Sequence, residues 1–147
     1  MRINELFSEA AVIKQLNVAV ALAVASYPAS GAFIDVSRFE RFAFLIQAGT
    51  LTSATTCQVQ QAATINGVLK DVTGAVVIIP DTGDDKWYLI EVETDHLDSN
   101  NGYNYVTLTL AGPALADDFG AITFFGFNGD QPATQGADKG AVVVVAG

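Results

Sequence analysis

The chain has almost none of the residues from which reaction sites are built. It contains one histidine and one cysteine. A lone cysteine excludes an intrachain disulfide, and a reactive thiol needs a basic or helix-N-terminal neighbourhood. Cys57 has neither; its place in the alternating run TTCQVQQ marks it as a small, buried strand residue. Positive charge is also scarce, with 7 basic residues against 16 acidic and a net charge of −9. Lys14, Arg38, Arg41, Lys70, Lys86 and Lys139 are scattered, so no patch exists to attract phosphates. Nucleic acid is therefore not an expected partner, and the acidity serves solubility in an apolar-rich chain. No glycine-rich phosphate loop, CxxC pair, HExxH or GxSxG occurs. Long apolar runs are missing too. Leu16–Ala25 (LNVAVALAVA) follows Lys14 and has the look of a signal-peptide core, but Glu5 and Glu9 upstream do not suit one. It falls short of the ~20 residues a membrane span requires, so it is read as part of the fold and no membrane partner is expected.

The remaining polar clusters offer little chemistry. His96 lies in TDHLDSNN beside Asp95 and Asp98. As a general base or metal ligand it lacks a nucleophile or further ligands, and a solvated loop histidine is the simpler reading. Asp81, Asp84 and Asp85 crowd into DTGDD without the ligand spacing of a calcium loop. Asp95, Asp98 and Asn100 are read the same way. Glu91 and Glu93 share a strand face, as glycosidase carboxylates can, but nothing marks them as buried. No enzyme activity, cofactor or metal is expected.

Alternation is abundant. In Lys86–Gly112 two strands flank the polar loop Asp95–Gly102. Tyr88, Ile90 and Val92 share one face of the first strand; Trp87, Leu89, Glu91 and Glu93 share the other. In the second strand Val106, Leu108 and Leu110 oppose Tyr103, Tyr105, Thr107 and Thr109. The pattern suggests a hairpin with Leu97 tucked inward, which would gather Trp87, Tyr103 and Tyr105 on one face. Exposed, these rings suit a protein or sugar contact; buried, they form the second side of a sandwich.

Further strands are expected over Asn17–Ala25, Ala32–Val36, Glu40–Ala48, Thr56–Ala62, Val72–Ile79, Phe119–Phe127 and Ala141–Ala146. In the first, Val18, Val20, Leu22 and Val24 form a bulky face and the alanines a small one. Glu40–Ala48 is apolar on both faces, as a central strand is. Asn66-Gly67 marks a turn. The terminal AVVVVA is an aggregation hazard unless it pairs within the fold or with a neighbouring subunit, which makes Val142 and Val144 interface candidates beside Trp87, Tyr103 and Tyr105. Together these predict one β domain over 1–147: an antiparallel β-sandwich or jelly-roll-like barrel of about eight strands. Residues 1–16 form an N-terminal arm or short helix, and 128–147 a loop and C-terminal strand.

Three segments resemble the small head proteins of tailed bacteriophages. Phe33–Gly49 (FIDVSRFERFAFLIQAG) is similar to their aromatic-Ile-Asp strand, bend with an aromatic and Arg, and apolar strand; VQQA at Val59–Ala62 fits the next strand; EVETDHLDSNNGYNYVTLTL resembles their Glu-Val, Leu-Asp, Asn-Gly-Tyr hairpin. The resemblance covers about the middle half of the chain, in order. It implies a capsid decoration (cement) protein without enzymatic activity. Such a protein is a homo-oligomer, often a trimer, bound to the major capsid protein on the outer head surface. It would be made in the host cytoplasm. Another virion component (tail, neck or head fibre) and a carbohydrate-binding β-sandwich are the alternative expectations.

Overall fold

Alternating faces are satisfied by stacking two sheets over one core. The computed structural model describes residues 7–112, 119–129 and 134–141. One helical turn, α1 (Phe7–Ala10), runs directly into β1 (Ala11–Ala21). There follow β2 (Ser26–Tyr27), β3 (Ile34–Asp35), β4 (Arg41–Ala48), β5 (Thr55–Ala62), β6 (Lys70–Ile79), β7 (Trp87–Glu93), β8 (Tyr105–Ala111) and β9 (Phe119–Phe127). Sheet A has the order β1-β9-β4-β7; sheet B has β2-β8-β5-β6, with β3 also on β8. All the strand pairs are antiparallel. The fold is an antiparallel β-sandwich.

Inward side chains from both layers meet between the sheets. Sheet A contributes Phe42, Phe44, Ile46, Ile90, Val92, Ile122 and Phe124; sheet B contributes Cys57, Val59, Val72, Ile79, Val106, Leu108 and Leu110, all buried. Phe42, Phe44 and Phe124 form a ring cluster with centroids 5.5 to 6.1 Å apart. Burial of each such ring contributes about 2–3 kcal/mol. Cys57 lies in this core as expected, and burial pushes its thiol up to about 12. Gln58 faces the other way and its amide donates to the carbonyls of Val72 and Ala75 at 3.0 and 3.1 Å. It thereby satisfies backbone where the β5–β6 register shifts, beside Gly74 at φ 82°.

Three expectations require correction. The strands flanking Asp95–Gly102 do not form a hairpin. β7 pairs with β4 in sheet A, whereas β8 pairs with β2, β3 and β5 in sheet B. Their apolar faces meet across the core, and the loop carries the chain from one layer to the other. Leu97 is tucked in, and Gly102 takes the left-handed conformation at φ 78°. The loop is tied to sheet B: the Asp98 amide donates to Gln61 Oε1 at 2.9 Å, and the Lys70 ammonium pairs with the Asp98 carboxylate.

The second correction concerns β1, which begins at Ala11 inside the expected arm and stops at Ala21. Its pairing with β9 shifts register after Gln15 and again after Asn17, so strict alternation is broken. Leu22 is buried while Val18 and Val24 are exposed, and no single bulky face exists. Third, β4 is central but its outer side is only partly covered: Ala43 is buried, Leu45 half-buried and Gln47 exposed. The expected Ala141–Ala146 strand, with Val142 and Val144, lies outside the described residues except for Ala141. The first six residues of the expected arm lie outside them as well.

Candidate interaction surface

The outer face of sheet A is built by residues that each strand turns away from the core. The register fixes their rows. Gln15, Thr123, Leu45 and Leu89 lie side by side across the four strands. Ile13, Phe125, Ala43 and Glu91 form the next row, and Ala121, Gln47 and Trp87 flank the first on its other side. Phe7, from α1, stands edge-on to Phe125 and Phe127 with centroids 5.7 and 6.5 Å away. The Phe rings form one wall, Trp87 and Leu89 the other, and Ala43 and Leu45 the floor of an open groove of about 440 Å³.

Trp87 is 69% exposed, Phe7 54% and Leu89 46%. Taking whole aromatic side chains as ~150–250 Å², the two rings alone present on the order of 200–300 Å² of apolar surface, to which Leu89 adds; the largest apolar patch on a monomer is commonly of this size and often functional. Glu91 on this face has a cationic neighbour. Arg41 Nη1 lies 3.6 Å from Glu91 Oε1, and the Arg41 guanidinium sits 5.8 Å from the Phe127 centroid. Such exposed pairing adds little stability, and Glu93, on the same face and opposite Arg41 in the register, leaves the end of this face acidic.

The tyrosines lie elsewhere. Because β7 and β8 belong to different sheets, Trp87, Tyr103 and Tyr105 are not gathered into one platform. Tyr103 is half-buried in the crossing loop, with the Lys70 ammonium 4.0 Å from its ring centroid. Tyr105 opens β8 opposite Asp35 and Ala62 and borders a cleft of about 770 Å³ shared with Phe33, Phe39 and Phe124. A three-ring sugar shelf is therefore absent.

The polar candidates also resolve. His96 is exposed. It borders an open depression of about 480 Å³ with Arg41, Glu91 and Glu93. Asp98 accepts from Lys70 and from the Asn101 amide, and these hydrogen bonds hold its carboxyl below the usual carboxylate range. Asp84 Oδ1 accepts the Leu51 amide at 3.2 Å, tying the DTGDD turn to the loop before β5. Among the described residues no group of three or more His, Cys, Asp or Glu is placed to hold a metal.

The free edge of β1 has an unusual closure. Gln135 Oε1 accepts the Ile13 amide at 2.9 Å while its Nε2 donates to the Ala11 carbonyl at 2.7 Å. Asp138 Oδ2 accepts the Gln15 amide at 2.7 Å. This clamp delivers Ala141 to the outer face of sheet A, beside Ile13, Gln15 and Thr123.

No family model matches the chain, and no curated protein matches it. Among solved structures it is similar to the coat protein of Tobacco streak virus, with 11% identity and a TM-score of 0.49, covering 93% of this chain and 96% of that one. At that level the likeness carries no inference about function or partners.

Sequence reasoning placed Trp87 and Leu89 on one face but passed over Phe7, Leu45, Phe125 and Phe127. The signal was present in FGAITFFGF. Ile122 and Phe124 already fill the inward face, so Phe125 and Phe127 had to stand on the other.

Proposed function

We propose that this chain is a non-enzymatic virion structural protein, a decoration (cement) protein of a tailed-bacteriophage head. It binds the outer shell and ties neighbouring major capsid subunits together. The observation that carries this reading is the apolar groove on the outer face of sheet A, which the described residues leave open, with Trp87 as its most exposed ring. Bracing requires buried contact area and no reaction site. The resemblance of Phe33–Gly49, Val59–Ala62 and the Glu91–Leu110 stretch to phage head proteins supports the same assignment.

A bracing protein needs two contact regions, one for its own copies and one for the shell. Trp87, with Val142 and Val144, belongs to the first region in this reading. Tyr103 and Tyr105, at the loop end of sheet B, belong to the second. The resemblance suggests three copies per assembly. The acidic surface suits a position outside the shell, away from packaged nucleic acid. The test is rebinding. Purified protein added to heads stripped of it restores occupancy and raises their resistance to heat or pressure. Failure to bind any head shell refutes the assignment.

A further inference from the structure

We infer that the free edge of β6, over Ala75–Ile79, pairs with the same edge of a second copy of this chain about a two-fold axis, joining sheet B to sheet B. The inference goes beyond the reading above and does not rest on it, since it uses neither Trp87 nor the outer face of sheet A.

The sandwich has four sheet edges, and three of them carry a device against pairing. β1 is closed over Ala11–Gln15 by Gln135 and Asp138. On the β8 side sheet B ends in β2 and β3, of two residues each. β7 carries the exposed charges Glu91 and Glu93. β6 is guarded over its first half alone, by Lys70, Asp71 and the irregularity beside Gly74. From Ala75 to Ile79 it reads AVVII, without charge, and Val76 is 44% and Ile78 67% exposed. Among the described residues no strand lies on its outer side. Such an edge is a template for another strand.

The residues outside the described ones do not reach this edge with length left to pair. Residues 142–147 leave from Ala141, beside β1. Extended, six residues span about 20 Å, whereas the path over three strand spacings to β7 and one sheet spacing to β6 is about 24 Å. Residues 1–6 leave from Phe7, which lies against Phe125 and Phe127 of β9. Two strand spacings and one sheet spacing, about 19 Å, use up their ~20 Å. Residues 113–118 are tied at both ends, from β8 to β9, and 130–133 run from the end of β9 toward the Gln135 clamp. Both are too short for a detour to the outer side of β6 and back.

A second copy fits because the segment is bounded at both ends and complements itself. Gly74, at φ 82°, interrupts regular pairing before Ala75, and Pro80 has no N–H to offer after Ile79. The five residues between them are centred on Val77. A two-fold axis there sets Val77 opposite its own copy, Val76 opposite Ile78 and Ala75 opposite Ile79. Val76 and Ile78 of both copies then share one apolar cluster on the outer face, next to Thr56 and Gln58. The antiparallel sense also sends the two acidic Asp81–Asp85 turns to opposite ends of the junction, which matters between chains of net charge −9.

The experiment follows sedimentation of the full chain over a dilution series up to about 1 mM, with amide hydrogen exchange measured at both ends of the series. A dimer is expected, with protection of the Ala75–Ile79 amides rising as it forms. Ile78→Lys, at an exposed position, should keep the fold and raise the dissociation constant at least tenfold. Val68→Lys adds the same charge at a residue that is exposed but outside the segment, and should leave association unchanged. Four results overturn the inference: a monomer at every concentration; association without a change in exchange over Ala75–Ile79; association equally strong in Ile78→Lys; or protection of these amides at every concentration, which means the chain's own residues cover the edge. Head binding enters none of these measurements, so failure here leaves that assignment to its own test.

Discussion

Gly126→Ala tests the tightest packing in sheet A. Gly126 lies on the inner face of β9, and a Cβ there would meet three atoms of the Phe39 ring at 2.6, 2.7 and 2.8 Å. The ring has little freedom to withdraw. It is buried, stands 6.1 Å from the Phe124 centroid, and also covers Gly129, whose added Cβ would meet it at 2.8 Å. Overpacking of this kind costs about 1–3 kcal/mol. Against it stands the ~0.5–1 kcal/mol that alanine gains over glycine from the unfolded chain. The net expectation is a loss of about 1–2 kcal/mol in the wild-type background.

Phe39→Leu removes the ring atoms and costs on the order of 1–2 kcal/mol itself. In that background the added methyl has room, so Gly126→Ala should become neutral or stabilising. The measurement is urea unfolding of the four members of the double-mutant cycle, with midpoints compared at constant slope. A coupling of at least ~1 kcal/mol favouring the double variant is expected. Equal costs of Gly126→Ala in both backgrounds would refute the argument, because the ring would then not be what the methyl strikes.

Three further outcomes are expected. Burial raises the Cys57 thiol to about 12, so it stays neutral in the folded state while the unfolded thiol ionises near its ordinary value of 9. Its contribution is fully present below pH 9 and is lost as pH rises toward 12, with a slope of up to ~1.4 kcal/mol per pH unit; Cys57→Ala should flatten that part of the alkaline stability profile, and an unchanged slope would count against the mechanism. Asp98, held down by Lys70 and Asn101, should titrate below the usual carboxylate value by NMR and return toward it in Lys70→Met, with the associated stability present above the ordinary value and lost as pH falls through the depressed one. Gln135→Ala should speed hydrogen exchange at the Ile13 amide, since that substitution deletes its acceptor; unchanged exchange would show that the side chain does not close the edge.

Several strands were readable from alternation or from a two-sided apolar run. Trp87–Glu93 keeps period 2 to the end, Thr55–Gln61 keeps it up to Ala62, Arg41–Ala48 showed itself by a run apolar on both faces, and Leu97 declared itself as the one apolar residue in a polar loop. Pairing was not readable. Alternation states which side of a strand faces apolar neighbours, and that side is the same whether the partner lies alongside or across the core. The inward positions Ile90 and Leu108 thus look like one hairpin in sequence, although they belong to opposite sheets. β1 was blurred by its two register shifts, and β2 and β3, of two residues each, are too short to carry a period. The outer face of sheet A was half legible: Trp87 and Leu89 announced themselves, whereas Phe7 joins them only through the turn that α1 makes onto β9.

The side-chain amide of Gln135 mimics a peptide unit, donating and accepting on the β1 edge as a neighbouring strand would. Among the described residues, the Ala11–Gln15 stretch of this edge is closed by two side chains and not by a further strand. A strand added along Ala11–Gln15 must therefore displace partners already in place. The closure is also local: releasing it requires two rotamer changes and leaves every strand of the sandwich paired. Growth of the sheet and exposure of its apolar face are thus under separate control, the one set by the edge and the other by what lies over Trp87.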